Sequence, residues 1–287
     1  MRLPVDPEIA ACVDRLNLRF NRYGIDPFGV SKEHLTHFFT LLGWFYKRYF
    51  RVTAHNIERV PDAGRAMVVG NHSGGLPVDG GMVLTSLLLR HEPPRLAHGM
   101  VEKFAQLWPF VSTWFSRVGQ FTGLPEHAIS LLEDERILMV FPEGARGTGK
   151  LYSHRYELVG FGTGFMRLAL QTGTPIVPFA FIGGEEALPT KFHLMPLAKL
   201  IGAPYLPIPS YLIPFPLPIA CDIYYGEPLC FEGTGAEADR VIEGYVDRVK
   251  ARIVELIDQG RQERRRRLDR VLPFGEVTQD DFPGESD

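Results

Sequence analysis

Ile137-Leu138-Met139-Val140-Phe141-Pro142-Glu143-Gly144-Ala145-Arg146-Gly147 runs from an apolar stretch into a glycine turn that carries a carboxylate and a guanidinium. The apolar part is short and bounded by turn residues, which is the pattern of a buried strand. Upstream, Ala66-Met67-Val68-Val69 leads in the same way into Asn71-His72-Ser73-Gly74-Gly75-Leu76-Pro77-Val78-Asp79, a second glycine-rich turn with an imidazole and a carboxylate. In open α/β sheets chemistry gathers in crevices beyond the carboxyl ends of strands. Two polar constellations at two strand ends therefore point to one site.

Working outward, strands are expected near residues 51–55, 96–99, 175–181 and 220–225, and helices over 80–90, 103–118, 125–134, 161–171 and 236–258. Strands that alternate with helices predict an α/β fold, a mixed sheet flanked by helices. Ahead of it, residues 8–22 and a segment from the N-cap Ser31 to about Phe50 predict an N-terminal helical hairpin. The expected organisation is a helical, membrane-associated region over 1–50, a catalytic domain over 51–260, and a basic then acidic tail over 261–287. The tail contains Arg261, Arg264, Arg265, Arg266, Arg267 and Arg270. Such a charge block is either a solvated face or a contact for anionic lipid. Residues 189–219 hold eight prolines among Leu, Ile, Phe and Tyr. Proline at this density breaks helices and central strands, leaving either a flap over a lipid path or an irregular connection packed on the core.

With 287 residues, the chain is long enough for one large domain. A net charge of −3 gives no electrostatic footprint for a nucleic-acid partner. Cys12, Cys221 and Cys230 are scattered and odd in number, which argues against a disulfide framework or a zinc site and for a reducing compartment. No stretch supplies the ~20 apolar residues of a membrane-spanning helix. The aromatic run Phe38-Phe39-Thr40-Leu41-Leu42-Gly43-Trp44-Phe45-Tyr46 ends at Lys47-Arg48 and suits either a helix at a membrane surface or one packed on the core.

The two turns resemble the conserved blocks of the glycerolipid acyltransferases of the lysophospholipid type. The second block matches at Phe141, Pro142, Glu143, Gly144 and Arg146, and the first at Asn71 and His72. The acid of the first block, Asp79, follows after six intervening residues where the family has four. Ile176-Val177-Pro178-Phe179 matches a weaker third block, and Gly119-Gln120-Phe121-Thr122-Gly123 stands where the family carries an Arg for a glycerol phosphate, without that Arg. The likeness covers about residues 50–230. It implies acyl transfer from acyl-coenzyme A or an acyl carrier protein, as co-substrate rather than bound cofactor, to a lysophospholipid or a mono- or diacylglycerol.

The catalytic candidates are His72, Asp79 and Glu143. Imidazole titrates near neutrality and can take the proton of an attacking alcohol. Asp79 either pairs with the imidazole or caps the next helix. Glu143 either orients His72 or the acceptor, or accepts backbone N–H groups within its turn. Substrate contacts are expected from Asn71, from Ser73, Gly74 and Gly75 through backbone donors, and from Gly144, Arg146, Gly147 and Lys150, with Arg146 as a fork for phosphate. Gly144 to Lys150 also spells Gly-x4-Gly-Lys, but Leu151 replaces the hydroxyl of a magnesium-binding phosphate loop. No metal site is expected. With no Gly-x-Ser-x-Gly elbow, direct attack of the acceptor on the thioester is the simplest mechanism. A lipid or thioester hydrolase and a non-catalytic lipid-binding module are the alternatives. The expected setting is cytoplasmic and peripheral to a membrane.

Overall fold

The computed structural model describes residues 5–73, 77–101, 111–122, 124–200, 205–211, 213 and 215–271. In chain order the elements are α1 (Pro7–Asp14), α2 (Lys32–Trp44), β1 (Thr53–His55), β2 (Ala66–Gly70), α3 (Val78–Leu89), β3 (Ala97–Val101), α4 (Val111–Arg117), β4 (Phe121–Thr122), α5 (Pro125–Glu133) and β5 (Ile137–Val140). They continue with α6 (Ala145–Thr148), α7 (Gly164–Thr172), β6 (Ile176–Ile182), α8 (Gly184–Ala187), β7 (Thr190–His193), α9 (Met195–Leu200), β8 (Pro207–Pro209), β9 (Asp222–Tyr225) and α10 (Asp239–Val271).

Seven strands form one sheet in the order β1-β9-β6-β2-β5-β3-β4. Every neighbouring pair is parallel except β6 and β9, so the sheet is mixed, as the alternation of elements predicts. The central strands are apolar throughout because both faces are covered. Val68, Met139, Val177, Phe179, Phe181 and Tyr225 face the layer of α1, α2 and α3. Met67, Val69, Leu138, Val140, Ala180, Ile182 and Tyr224 face the layer of α5, α7 and α10. Period-two alternation thus feeds two cores from one sheet.

The N-terminal hairpin forms, with Ser31 capping α2 through the His34 N–H and α1 packed on α2 and α3. Its first helix is shorter than expected and ends at Asp14 rather than near residue 22. Leu16, Leu18 and Phe20 lie at every second position, and their backbone closes Leu18 N–H to Leu16 O and Phe20 N–H to Leu18 O instead of continuing the helix. At the other end of the chain the helix is longer than expected. α10 runs on through the arginine run, so the boundary placed at residue 260 falls inside a helix. Arg264 donates to Ala220 O, Arg267 to Asp222, and Arg261 lies over the Tyr156 ring. These three positions share the inward face of the helix, while Arg265 and Arg266 face solvent. The proline-rich segment forms a two-stranded ribbon of β7 and β8 outside the main sheet. It is tied to the body of the protein by Tyr49 Oη to Pro216 O, Arg51 to Pro218 O and Leu217 N–H to Ala187 O.

Candidate active site

β2 and β5 are adjacent and in register, Val69 opposite Val140, so His72 and Glu143 leave the sheet at the same end. On its other side β2 pairs with β6, Gly70 opposite Phe179. A Cβ on Gly70 would lie 2.4 Å from the Phe179 ring, so only glycine lets β2 pass this aromatic. Asn71 then takes both sides of the Phe181 peptide: its Nδ2 donates to Phe181 O (3.0 Å) and its Oδ1 accepts from Phe181 N–H (2.8 Å). This fully buried pin fixes the start of the His72 turn, and it corrects the expectation that Asn71 contacts substrate.

The imidazole of His72 places Nδ1 2.7 Å from Asp79 Oδ2. Asp79 is fully buried in the first turn of α3, where the helix N-terminus favours negative charge. Its Oδ2 also accepts from Ser73 N–H (2.7 Å) and its Oδ1 from Gly80 N–H (2.7 Å). Of the two roles open to Asp79, its contacts fill the pairing with the histidine; the N-cap position of α3 is Pro77, and among the described residues no side chain caps the helix. The six-residue spacer still returns the acid to the ring, because Pro77 turns directly into the helix. Phe141 stacks on the other side of the imidazole, with centroids 4.0 Å apart and planes 13° from parallel. The ring is held between a carboxylate and an aromatic face. Among the described residues nothing bonds Nε2, and the side chain keeps 15% of its surface open.

Glu143 braces this turn from below. Oε1 accepts the backbone N–H of His72 (2.9 Å), and Oε2 accepts Val159 N–H (2.9 Å) and Lys150 Nζ (3.4 Å). Glu143 accepts backbone N–H groups, but from His72 and Val159 rather than from within its own turn, so it orients His72 through the main chain and not the ring. Lys150 is corrected likewise. Its ammonium is buried, bonded to Glu143 and to Glu157 O (3.0 Å), and lies 3.8 Å from Glu185 Oε1, so it does not present itself to a phosphate. Glu185 is buried, and desolvation pushes its carboxyl up to about 7 against the pull of Lys150.

The expected cradle of backbone donors is largely spent. Gly144 N–H goes to Phe141 O, Gly147 N–H to Gly144 O, and Ser73 N–H to Asp79. Gly147 instead answers a need for space: a Cβ there would stand 2.8 Å from the Cβ atoms of both His72 and Glu143. Gly74 and Gly75 lie outside the described residues. Arg146 is exposed and donates to Gly160 O (2.9 Å), leaving the rest of its fork toward solvent beside Gly147. Sequence reasoning missed the stacking role of Phe141 and the parts of Val159 and Glu185. Glu185-Glu186, placed after Gly183-Gly184 at the end of β6, is the signal that was there to be read. Among the described residues no group of His, Cys, Asp and Glu side chains has the arrangement of a metal site.

The sequence profile of an acyltransferase family matches residues 51–182, the span that holds both turns. An uncharacterised Mycobacterium tuberculosis protein is 34% identical over 247 residues, covering 82% of this chain and 69% of that protein. A Mycobacterium leprae protein, also uncharacterised, is 33% identical over 248 residues, with 82% and 67% covered. A chicken protein named DGAT1/2-independent enzyme synthesizing storage lipids is 26% identical over 181 residues, with 62% and 52% covered. The crystal structure of the 1-acyl-sn-glycerophosphate acyltransferase PlsC from Thermotoga maritima superposes with a TM-score of 0.49 at 19% identity, covering 78% of this chain and 79% of that one. The histidine and glutamate turns thus lie inside the matched span, and residues 51–182 belong to the acyltransferase family.

Proposed function

We propose that this lipid acyltransferase moves a fatty acyl group from acyl-coenzyme A, or from an acyl carrier protein, onto a hydroxyl of a glycerolipid at a membrane surface. The observation that carries the reading is the 2.7 Å contact of His72 Nδ1 with the buried Asp79, which leaves Nε2 open. Asp79 holds the tautomer with the proton on Nδ1, so the lone pair of Nε2 is available as a base. The acceptor oxygen attacks the thioester carbonyl carbon as Nε2 takes its proton. The tetrahedral adduct then expels the thiolate, which recovers that proton from the imidazolium, giving an ester and a free thiol.

Asp79 stabilises the imidazolium that forms between the two proton transfers. Donors for the developing oxyanion must come from groups other than the Ser73 N–H, which Asp79 already holds. For the acceptor, two features point in different directions. The open part of the Arg146 fork suits a phosphorylated glycerolipid, whereas the chicken relative is named for storage lipids. Membrane contact is supported by Leu41, Trp44, Ile213 and Phe215, which are each more than half exposed, with the Trp44, Tyr49 and Phe215 rings in contact. No helix among the described residues is long and apolar enough to cross a bilayer.

The test is mass spectrometry of products from the purified protein given acyl-coenzyme A and a panel of lysophospholipids and mono- and diacylglycerols. Acylated lipid is the expected product, and the acceptor consumed identifies the class. His72→Ala should lower turnover by about 10²- to 10⁴-fold, the usual contribution of a positioned base, without unfolding the protein. Release of free fatty acid alone, whatever alcohol is present, would replace transfer by hydrolysis. Unchanged turnover in His72→Ala would remove the histidine from the chemistry.

A further inference from the structure

Away from the His72 turn, a groove of about 340 Å³ is lined by His55, Glu263, Arg266 and Arg267. It lies between the edge strand β1 and the C-terminal half of α10. Its size is at the lower end of small-molecule clefts, roughly 300–1,000 Å³. By register, Asp222 on β9 is level with Thr53 on β1 and Ile182 on β6, so the groove stands at the same end of the sheet as His72. It is three strand spacings away, roughly 14 Å.

Its polar groups are built in. Asp222 is buried beneath it and accepts from His55 Nε2 (2.9 Å) and from Arg267 (2.7 Å), so one carboxylate aims both an imidazole and a guanidinium. The His55 ring is further fixed by stacking on Tyr224, with centroids 4.2 Å apart. With Nε2 turned to Asp222, Nδ1 is the nitrogen left for a ligand. Burial pushes the Asp222 carboxyl up, but its hydrogen bonds from His55 and Arg267 outweigh this and hold it below the ordinary carboxylate range. It is therefore an anion set beneath the groove.

Glu263 has both oxygens engaged, by Tyr224 Oη (2.8 Å) and Gln259 Nε2 (3.0 Å). Arg266 follows it at i+3 on the same helix, a spacing at which opposite charges commonly pair. It nevertheless makes no hydrogen bond or ion pair among the described residues, although it lines the groove. Arg264 stands 3.9 Å from Asp222. Arg264, Arg266 and Arg267 set against Asp222 and Glu263 leave the surroundings of the groove with one positive charge in excess. A phosphate monoester offers three acceptor oxygens, one more than a carboxylate, to two forked guanidiniums and the imidazole beside them.

We propose that the groove formed by His55, Arg266 and Arg267 binds a phosphate monoester, with Asp222 as the residue that positions the imidazole and one guanidinium. The phosphate can belong to a small soluble ester or to a lipid headgroup. Nothing in this assignment depends on acyl transfer, and its test contains no acyl donor, so either reading can fail alone.

The experiment is NMR of the full chain labelled in its histidine rings, with the His55 signals identified by their loss in His55→Gln. Inorganic phosphate, sn-glycerol 3-phosphate, and phosphatidylcholine vesicles with and without phosphatidic acid are titrated in turn. A saturable shift of the His55 signals with the soluble phosphates assigns a soluble ester. A shift only with phosphatidic acid vesicles assigns a lipid headgroup, and both outcomes support the site. Arg266→Gln, which removes no described contact, is expected to weaken the effective probe at least tenfold. The proposal is overturned if no probe moves the His55 signals, or if Arg266→Gln binds like the unaltered chain.

Discussion

His72 is held by one partner nearby on the chain, Asp79, and by three from the distant Glu143 turn. Its backbone is held by Glu143, its ring by Asp79 and Phe141, and its Cβ lies against Gly147. The Gly147 contact makes a sharp prediction. In Gly147→Ala the new methyl would lie 2.8 Å from both His72 Cβ and Glu143 Cβ, so one of the two turns must move. Displacing a catalytic group by about 1 Å commonly costs on the order of a hundredfold in rate. Gly147→Ala should therefore lose about that factor in kcat, measured beside a melting curve that establishes folding. Activity equal to the unaltered chain would mean that the turns yield without disturbing the imidazole. At this scale the sequence was informative about residue types but not about their duties. Asn71, Glu143 and Lys150 were recognised as special, yet each is occupied with internal hydrogen bonds. A polar residue in a motif reads the same whether it meets substrate or holds the motif together. Only its partners separate the two, and for Asn71 and Glu143 these include residues far along the chain, Phe181 and His72.

Among the elements, α10 shows how a long helix is fitted to a sheet. It crosses β6 and β9 on the face away from α1, α2 and α3, with Ile242, Val249, Ile253 and Leu256 buried beneath it. Gly260 sits where the approach is closest: a Cβ there would stand 2.7 Å from Ile182 and 2.8 Å from Tyr224. Alanine is better than glycine in a helix interior by about 1 kcal/mol, but overpacking a core costs typically about 1–3 kcal/mol. Overpacking is expected to win, so Gly260→Ala should lower the melting temperature, as calorimetry would record. A rise would show that the helix simply rides outward. Beyond Gly260 the arginines divide by face into Arg261, Arg264 and Arg267 toward the protein and Arg265 and Arg266 toward solvent. A charge run read as a tail is thus partly a fastening. The period of 3.6 residues that makes this division is present in the sequence, but the carbonyl of Ala220 and the carboxylate of Asp222 that receive the inward arginines are not adjacent to them until β9 is in place.

For the molecule as a whole, stability should carry the signature of a carboxyl buried between two charges. Lys150 lies between Glu143 and Glu185, so one ammonium faces two carboxylates. Burial raises Glu185 to about 7 from an ordinary value of 4.5. A group raised on folding favours the folded state fully below its unfolded value and loses that contribution as pH climbs through its folded value. The Glu185 contribution is therefore present near pH 4 and fades between about 4.5 and 7. Glu185→Gln, which cannot ionise, should gain stability relative to the unaltered chain as pH rises from 5 to 8, read as the difference between their melting temperatures. A difference independent of pH would mean that Glu185 stays ionised throughout.

The amino-acid sequence alone determined the class of fold and pointed to the strand ends that carry the candidate site. Apolar runs bounded by glycine and proline define the central strands, and an imidazole and carboxylates just after two of them mark where chemistry is possible. These signals are local, because hydrophobic period and turn chemistry act over a few residues. The tertiary structure alone decided that β9 enters antiparallel to β6, that Asp79 returns to His72 across a longer spacer, and that Glu143 and Lys150 face inward. Each of these rests on contacts that form only in the folded chain, where burial removes water from both partners and leaves every donor and acceptor to find its match inside.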